Sequence, residues 1–251
     1  MDDRFTDQVA IVTGGARGIG EAVARRLASE GAVVVLFDRL ADEVNEAAYR
    51  MSADGMPVES MAVDITDEDS VKTSIAEVVA QHGKLDVMVN CAGIVGPNNT
   101  KITEYETTAF DEIYAVNLRG SFLMTKFAIE PMLAQDYGRI LLYASIGGKE
   151  GNPGMVGYAA TKAGVFGLVK GVGKEYAETG VTVNGIAPAV IRTPMVDAAD
   201  PEMVKYMTDR IPMKRTGSLE EAAAMSAFIV SRENSFSTGY VFDLSGGRAT
   251  Y

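Results

Sequence analysis

The chain of 251 residues is 47% hydrophobic and carries a formal net charge of −11, which suits one large α/β domain or two small ones. That charge argues against nucleic acid and against an anionic membrane surface as partners, since both are polyanions that would repel the chain. A single cysteine, Cys91, and a single histidine, His82, exclude an internal disulfide and a structural zinc site built from Cys and His.

Short apolar, β-branched runs alternate with longer helical patterns along the chain. The predicted strands are Val9–Thr13, Ala32–Phe37, Pro57–Val63, Leu85–Asn90, Arg139–Ala144, Thr182–Ile186 and Tyr240–Leu244. Their nearly continuous hydrophobicity indicates burial on both faces, as in a parallel sheet. Amphipathic stretches lie between them, including Glu21–Glu30, Asp67–Gln81 and Gly154–Glu178. With no linker or repeat in sight, residues 1–251 are predicted to form a single Rossmann-type, doubly wound α/β domain, with about seven parallel strands and helices on both faces.

Two segments interrupt this alternation, Gly93–Glu106 and Ala187–Pro212. Both follow predicted strands, so both are expected at the carboxyl edge of the sheet, where open α/β sheets bind ligands. The stretch Met1–Thr6 is polar, and no apolar run approaches the ~20 residues that a membrane span needs. We therefore expect a cytoplasmic protein with no membrane partner.

The first predicted strand leads into a glycine-rich turn and then directly into a helix. Gly14, Gly18 and Gly20 allow a tight turn, and the helix amino terminus offers free N–H groups and a partial positive charge to a pyrophosphate. Asp38, at the end of the next strand, is placed to accept hydrogen bonds from ribose hydroxyls and to repel a 2′-phosphate. Arg17 and Arg39 argue weakly for such a phosphate, but the direct acceptor favours NAD over NADP.

The turn, written Thr-Gly-x-x-x-Gly-Ile-Gly, resembles that of the short-chain dehydrogenases/reductases, and the resemblance covers essentially the whole chain. Residues 90–93 resemble the family's Asn-Asn-Ala-Gly, residues 188–193 resemble its nicotinamide-side segment, and four residues match its catalytic tetrad in order and spacing. These four are Asn117, Ser145, Tyr158 and Lys162. The family pattern is broken at Cys91, predicted to be a small buried filler, and at Ala189.

The resemblance implies a set of NAD-binding residues, with Thr193 and the backbone around it contacting the nicotinamide carboxamide. The predicted cofactor residues are Gly14, Arg17, Gly18, Ile19, Gly20, Asp38, Arg39, Asp64, Ile65, Asn90, Ala92, Gly93, Tyr158, Lys162, Pro188, Ile191 and Thr193. It also implies that Asn117 interrupts its helix and holds a water that links Lys162 to solvent.

Tyr158 and Lys162 are four residues apart on a predicted helix and therefore share one face. A phenol titrates near ~10, too high for a general base at neutral pH, and a neighbouring ammonium is expected to lower that pKa. Tyr158 is then predicted to take the alcohol proton while Ser145 hydrogen-bonds the substrate oxygen.

The substrate signal is weaker. Residues 144–153 and 243–251 resemble bacterial sugar-acid dehydrogenases that oxidise the C4 hydroxyl of 2-keto-3-deoxy-L-sugar acids of the fuconate and rhamnonate type. A 3-oxoacyl carrier-protein reductase is an alternative, although Asp38 and the acidic charge oppose its NADPH and its acidic partner. A non-catalytic nucleotide sensor is opposed by Tyr158 and Lys162, and a Ser-His-Asp hydrolase would need His82, predicted to be a solvated loop residue.

An acidic substrate needs a cation or several donors, because burying an unpaired carboxylate is costly. The candidates are Lys149, Arg192 and Arg248, with the Tyr251 ring as a wall of the pocket. Small residues of the Gly154–Glu178 stretch permit close helix packing, and the family usually pairs through this helix. We therefore expect a homotetramer in which the tail of one chain reaches the active-site mouth of a neighbour.

Overall fold

A computed structural model describes residues 3–193, 196 and 201–249. Seven strands form one sheet in the order β3-β2-β1-β4-β5-β6-β7, and every pair is parallel. The strands are β1 (Val9–Thr13), β2 (Val33–Asp38), β3 (Val58–Ala62), β4 (Val87–Asn90), β5 (Gly138–Tyr143), β6 (Val181–Pro188) and β7 (Val241–Leu244). Each predicted strand is present within a few residues of its predicted ends, and the doubly wound fold is confirmed.

Helices cover both faces of this sheet. They are α1 (Gly18–Ser29), α2 (Ala41–Ala53), α3 (Glu68–His82), α4 (Thr107–Ile113), α5 (Gly120–Ala134), α6 (Ile146–Glu150), α7 (Val156–Glu175), α8 (Pro201–Asp209) and α9 (Leu219–Val230). One hydrophobic core joins the sheet to α1, α2 and α9, and a second joins its other face to α3, α5 and α7. The strands are apolar throughout because they lie between these two cores.

Local signals explain where several helices begin and end. Asp67 caps α3 by accepting from the amides of Asp69 and Ser70, and Gly83 ends that helix with a left-handed φ of 78°. Ser218 and Glu221 form a capping box at the start of α9. Within the described ranges, none of the helices is long and apolar enough to cross a membrane.

The two segments that interrupt the alternation do follow β4 and β6, but they are not wholly irregular. Residues 102–104 form a short 3₁₀ turn, and Pro201 begins α8, where a proline is favoured because its missing N–H needs no partner. Strand β6 also continues to Pro188, two residues beyond its predicted end. Both segments leave the carboxyl edge of the sheet, and the candidate site lies along that edge.

Candidate active site

The turn between β1 and α1 requires glycine at defined positions. Gly14 and Gly18 have φ values of 64° and 60°, in the left-handed region that other residues seldom adopt. A Cβ on Gly14 would lie 3.0 Å from the Ala92 amide nitrogen, and one on Gly20 would overlap the Gly14 carbonyl oxygen. The sequence folds this way because only glycine lets the turn approach both its own helix and the end of β4.

This turn opens onto a cavity of about 630 Å³, a size typical of small-molecule and cofactor sites. Twelve of the predicted cofactor residues line it: Gly14, Arg17, Gly18, Ile19, Gly20, Asp38, Arg39, Asp64, Ile65, Ala92, Gly93 and Thr193. Motif reasoning missed further lining residues, namely Phe37, Leu40, Val63, Thr66, Cys91, Ile94, Glu112, Ala115 and Val116. The lining residues that end or follow a strand could have been predicted from their position at the carboxyl edge of the sheet. The lining residues in helices have no sequence pattern that indicates a role in the site.

Asp38 is held in place by the backbone at the rim of this cavity. Its carboxylate accepts from the amides of Leu40 at 3.1 Å and Ala16 at 3.3 Å. The Arg17 guanidinium lies 3.3 Å from the Glu43 carboxylate, so its charge is directed towards an acid. The site therefore presents a fixed acceptor to a ribose hydroxyl, and the cavity, glycines and carboxylate fit an adenosine dinucleotide.

Cys91 also lines the cavity and is half-buried. Burial raises the pKa of its thiol, so the group stays protonated at neutral pH. This fits the predicted role of a small filler rather than a nucleophile.

Ser145 follows β5 and caps the short helix α6. Its Oγ accepts a 3.1 Å hydrogen bond from the Gly147 amide, and the side chain is buried. Because that bond uses an acceptor position, the hydroxyl hydrogen remains available to donate to a substrate oxygen.

His82 ends α3 at the opposite, amino edge of the sheet and is half-buried rather than solvated, close to Glu59. A Ser145–His82 pair is therefore impossible in this fold.

Tyr158 and Lys162 lie one turn apart on α7, as predicted, with the Lys162 Nζ 5.9 Å from the centroid of the Tyr158 ring. The Lys162 ammonium donates a 2.7 Å hydrogen bond to the Tyr143 carbonyl oxygen. Burial lowers the pKa of Lys162 to about 8. The lysine is thus a buried cation held between β5 and the tyrosine.

The expected lowering of the Tyr158 pKa is not what the structure gives. Burial raises the pKa of the phenol, and the hydrogen bond with the Ser145 side chain only partly opposes it. The reason is that desolvation penalises the phenolate, while the Lys162 ammonium directs its hydrogen bond to a backbone carbonyl. Tyr158 therefore rests as a neutral phenol.

Asn117 lies in a π-helical turn, Tyr114–Arg119, between α4 and α5, and is fully buried. Its side-chain amide accepts from the Ile94 amide at 2.8 Å and donates to the Ile94 carbonyl at 2.9 Å. A Cβ on Gly93 would lie 3.2 Å from the Asn117 Oδ1 and 3.3 Å from the Lys162 Nζ. The predicted interruption of the helix is present, and it brings the asparagine beside the lysine.

A buried chain of hydrogen bonds connects the nucleotide side to this group. Thr13 donates to the Asn90 side chain at 2.6 Å, and Asn90 donates to the Ser121 hydroxyl at 2.9 Å. Ser121 in turn donates to the Asn117 carbonyl oxygen at 2.7 Å. Asn90 thus lies beneath the cavity rather than in its wall, and it links β1 and β4 to the π-helical turn. Ser121 carried no sequence signal.

Of the residues at the end of β6 and directly after it, Thr193 reaches the cavity. Pro188 is the last residue of β6, and Ile191 forms an isolated parallel bridge with Gly217. The Arg192 amide also donates to the Gly217 carbonyl, at 2.7 Å. These contacts fix the backbone leading to Thr193, which lines the cavity, whereas Pro188 and Ile191 lie outside the lining.

Lys149 and Arg248, both candidate cations for an acidic substrate, form ion pairs. The Lys149 Nζ lies 2.7 Å from the Asp243 carboxylate, and the Arg248 Nη2 lies 2.6 Å from that of Glu150. Both cations are largely buried, so they are not solvated surface charges. Arg192 is exposed, and Tyr251 lies outside the described residues. The structure thus fastens α6 to β7 and the tail by two ion pairs.

Comparisons with known proteins agree with this geometry. The family model described as Enoyl-(Acyl carrier protein) reductase matches residues 14–249. The chain is 40% identical over 248 residues to the 2-dehydro-3-deoxy-L-rhamnonate dehydrogenase (NAD(+)) of Sphingomonas sp. (strain SKA58), covering 99% of this chain and 98% of that protein. It is 35% identical over 246 residues to the 3-oxoacyl-[acyl-carrier-protein] reductase of Thermotoga maritima, covering 97% and 98%. A solved structure of NAD⁺-bound xylitol dehydrogenase superimposes with a TM-score of 0.92 at 29% identity, covering 97% and 99%.

Proposed function

Because the chain belongs to the short-chain dehydrogenase/reductase family and is an NAD-dependent dehydrogenase, we propose that it oxidises the C4 hydroxyl of a 2-keto-3-deoxy-L-sugar acid of the rhamnonate or fuconate type. The observation that carries this proposal is 40% identity, over almost the full length of both chains, to a dehydrogenase of 2-dehydro-3-deoxy-L-rhamnonate. The proposal keeps the cytoplasmic location expected from the sequence.

In this reaction Tyr158 takes the proton of the C4 hydroxyl, and NAD, when bound, would supply the acceptor for the hydride that leaves C4. The neutral resting phenol has to ionise first, and the buried ammonium of Lys162, one turn away on α7, is the nearby charge that would stabilise the phenolate. Ser145 donates its hydroxyl hydrogen to the substrate oxygen. Asn117 holds the 93–94 segment beside Lys162, and its water-holding role remains a prediction.

The cofactor half of the site would use the remaining predicted residues. The backbone amides at the start of α1 bind the pyrophosphate, Asp38 accepts from the adenosine ribose, and Thr193 lies on the nicotinamide side. Asp38 is already oriented by two backbone amides, so binding costs little side-chain entropy.

The carboxylate of a sugar acid would be bound near the two ion pairs. The Arg248 guanidinium has five N–H donors, and the two hydrogen bonds to Glu150 leave others for a second carboxylate. Lys149 and Arg192 are the alternative cations for this role.

The proposal is tested by following NADH formation with three substrate classes: 2-keto-3-deoxy-L-sugar acids, simple sugars and 3-hydroxyacyl thioesters. We expect the highest kcat/KM for the sugar acids. A higher kcat/KM for the acyl thioesters would contradict the proposal and favour the second candidate, a 3-oxoacyl carrier-protein reductase, which relatives of 35–37% identity support. The net charge of −11 and Asp38 oppose that candidate.

We also propose that the enzyme is a homotetramer, with α7 and the α4–α5 region in one of the contacts. On α7, Ala160, Ala163 and Gly167 are exposed, and nothing lies within 4 Å of a Cβ added at Gly167. Beside this helix the large apolar side chains of Phe110, Tyr114 and Phe122 are 38–48% exposed. Small residues next to exposed aromatics favour close packing against a second copy. A monomer mass in light scattering at micromolar concentration would contradict this assembly.

A further inference from the structure

The loop between α6 and α7 carries a polar side chain, that of Asn152, beside the proposed catalytic group. Gly151 and Gly154 turn the chain with φ values of 70° and 78°. The Met155 amide donates to the Asn152 carbonyl, and the Thr100 amide donates to the Gly154 carbonyl, both at 3.1 Å. The backbone from Asn152 to Met155 is therefore constrained by hydrogen bonds at two points.

The contacts of a side chain added at Gly147 show where the Asn152 side chain lies. A Cβ added to Gly147 would lie 2.9 Å from the Asn152 Nδ2, and 3.5 Å from both the Ser145 Oγ and the Tyr158 Cε1. The amide, the hydroxyl and the phenol ring thus surround a single point. A side chain at position 147 would occupy that space, and glycine leaves it to the amide.

The chemistry of this amide is not used within the fold. Across residues 3–193, 196 and 201–249, the half-buried Asn152 side chain makes no hydrogen bond to a protein group. An amide has two N–H donors and one carbonyl acceptor, whereas a hydroxyl both donates and accepts. An alcohol group is therefore a well-matched partner for it.

We propose that Asn152 binds the hydroxyl on the carbon next to the reacting one, and so selects polyhydroxylated substrates. The position follows from the geometry. In the proposed mechanism Ser145 and Tyr158 bind the reacting oxygen, and Asn152 lies beside both of them. A hydroxyl on the neighbouring carbon would therefore meet the Asn152 side chain. This rests on the proposed function, in which the adjacent hydroxyl is on C5, because C3 of the sugar acid carries none.

The test compares substrates with and without the adjacent hydroxyl: 2-keto-3-deoxy-L-rhamnonate against its 5-deoxy analogue, and 2,3-butanediol against 2-butanol. The Asn152→Ala variant should lose about tenfold in kcat/KM for the vicinal diol of each pair and keep the mono-alcohol within about twofold. The Asn98→Ala variant is the matched control, because its side chain is exposed. The KM for NAD should not change.

Two further variants separate a role in binding the hydroxyl from a general effect on the loop. Asn152→Asp keeps an acceptor of the same shape and should retain most of the preference for the diol, and Gly147→Ala should lower that preference by displacing the amide. Equal losses on both members of a pair, or no loss on either, would overturn the role of Asn152. Failure of the sugar acids alone would overturn only the proposed function, because the butanediol pair tests Asn152 independently.

Discussion

The nucleotide side of this enzyme and its substrate side are built by different means. The nucleotide side, formed by the ends of β1 to β4, depends on glycines and backbone amides, and Asp38, the carboxylate proposed to select NAD, is itself held by two amides. The proposed substrate side, formed by α6, β7 and the tail, contains ion pairs between side chains about a hundred residues apart. Backbone geometry is determined by residues that are close together in the sequence, whereas ion pairs between distant residues are not. The cofactor is therefore easier to predict from the sequence than the substrate.

The largest expected effect is at the junction of the two sides. Tyr158→Phe keeps the ring but removes the ionisable oxygen, so turnover should fall by ~10²–10⁴-fold while NAD affinity stays nearly normal. Steady-state kinetics and NAD titration by calorimetry measure the two quantities. Tyr49→Phe, at a residue 75% exposed on α2, is the control. Near wild-type activity in the Tyr158→Phe variant would contradict the proposed mechanism.

A second effect concerns stability against pH. The pKa of Lys162 is about 8 in the folded chain and 10.5 in a model peptide, so between these values the unfolded state binds more protons. The buried charge therefore destabilises the fold fully below pH 8, and this cost disappears as the pH rises towards 10.5. Lys162→Met should remove it, so the free energy of unfolding of the variant minus that of the wild type should fall by about 2–3 kcal/mol between pH 7 and pH 10.

Urea unfolding of both proteins at the two pH values measures this difference. Lys170→Met, at an exposed position of the same helix, should show no comparable pH dependence. Packing changes in the Lys162→Met variant add a constant at every pH, so only a difference that does not vary with pH would contradict the prediction.

On the nucleotide side, Asp38→Ala should narrow the preference for NAD over NADP by about tenfold or more, because a charged hydrogen-bond acceptor and a repulsive charge are both lost. Kinetics with both cofactors test this. Asp42→Ala removes the same charge from an exposed position in the first turn of α2 and should leave the ratio unchanged. An unchanged ratio in the Asp38→Ala variant would mean that another residue discriminates.

On the substrate side, deletion of residues 248–251 should raise the KM for a sugar acid by several-fold, about the value of one or two charged hydrogen bonds, and leave the affinity for NAD unchanged. Glu150→Gln separates the ion pair from the tail itself, since it removes the partner of Arg248 without shortening the chain. If the truncated enzyme keeps its KM, Lys149 or Arg192 becomes the better candidate for binding the carboxylate.

The features that can be predicted from the sequence follow the same division between local patterns and long-range contacts. The seven strands, the glycine turn, Asp38 and the Tyr158–Lys162 spacing are all local patterns, and the structure contains each of them. The pairing of Lys149 with Asp243 depends on how β7 lies beside β6, which no local pattern encodes. The direction of the Tyr158 pKa shift was missed for a similar reason, because it depends on burial and on the carbonyl that Lys162 meets.

The π-helical turn at 114–119 has a consequence for how the chain tolerates insertions and deletions. Such a turn holds one residue more than an α-helix of the same rise, so the helical face rotates by about 100° across it. Removing one residue there would let α4 and α5 join as an ordinary helix, and the amide of Asn117 would then turn away from Ile94. A gap of a single residue at this point would thus cost the proposed active site one of its members.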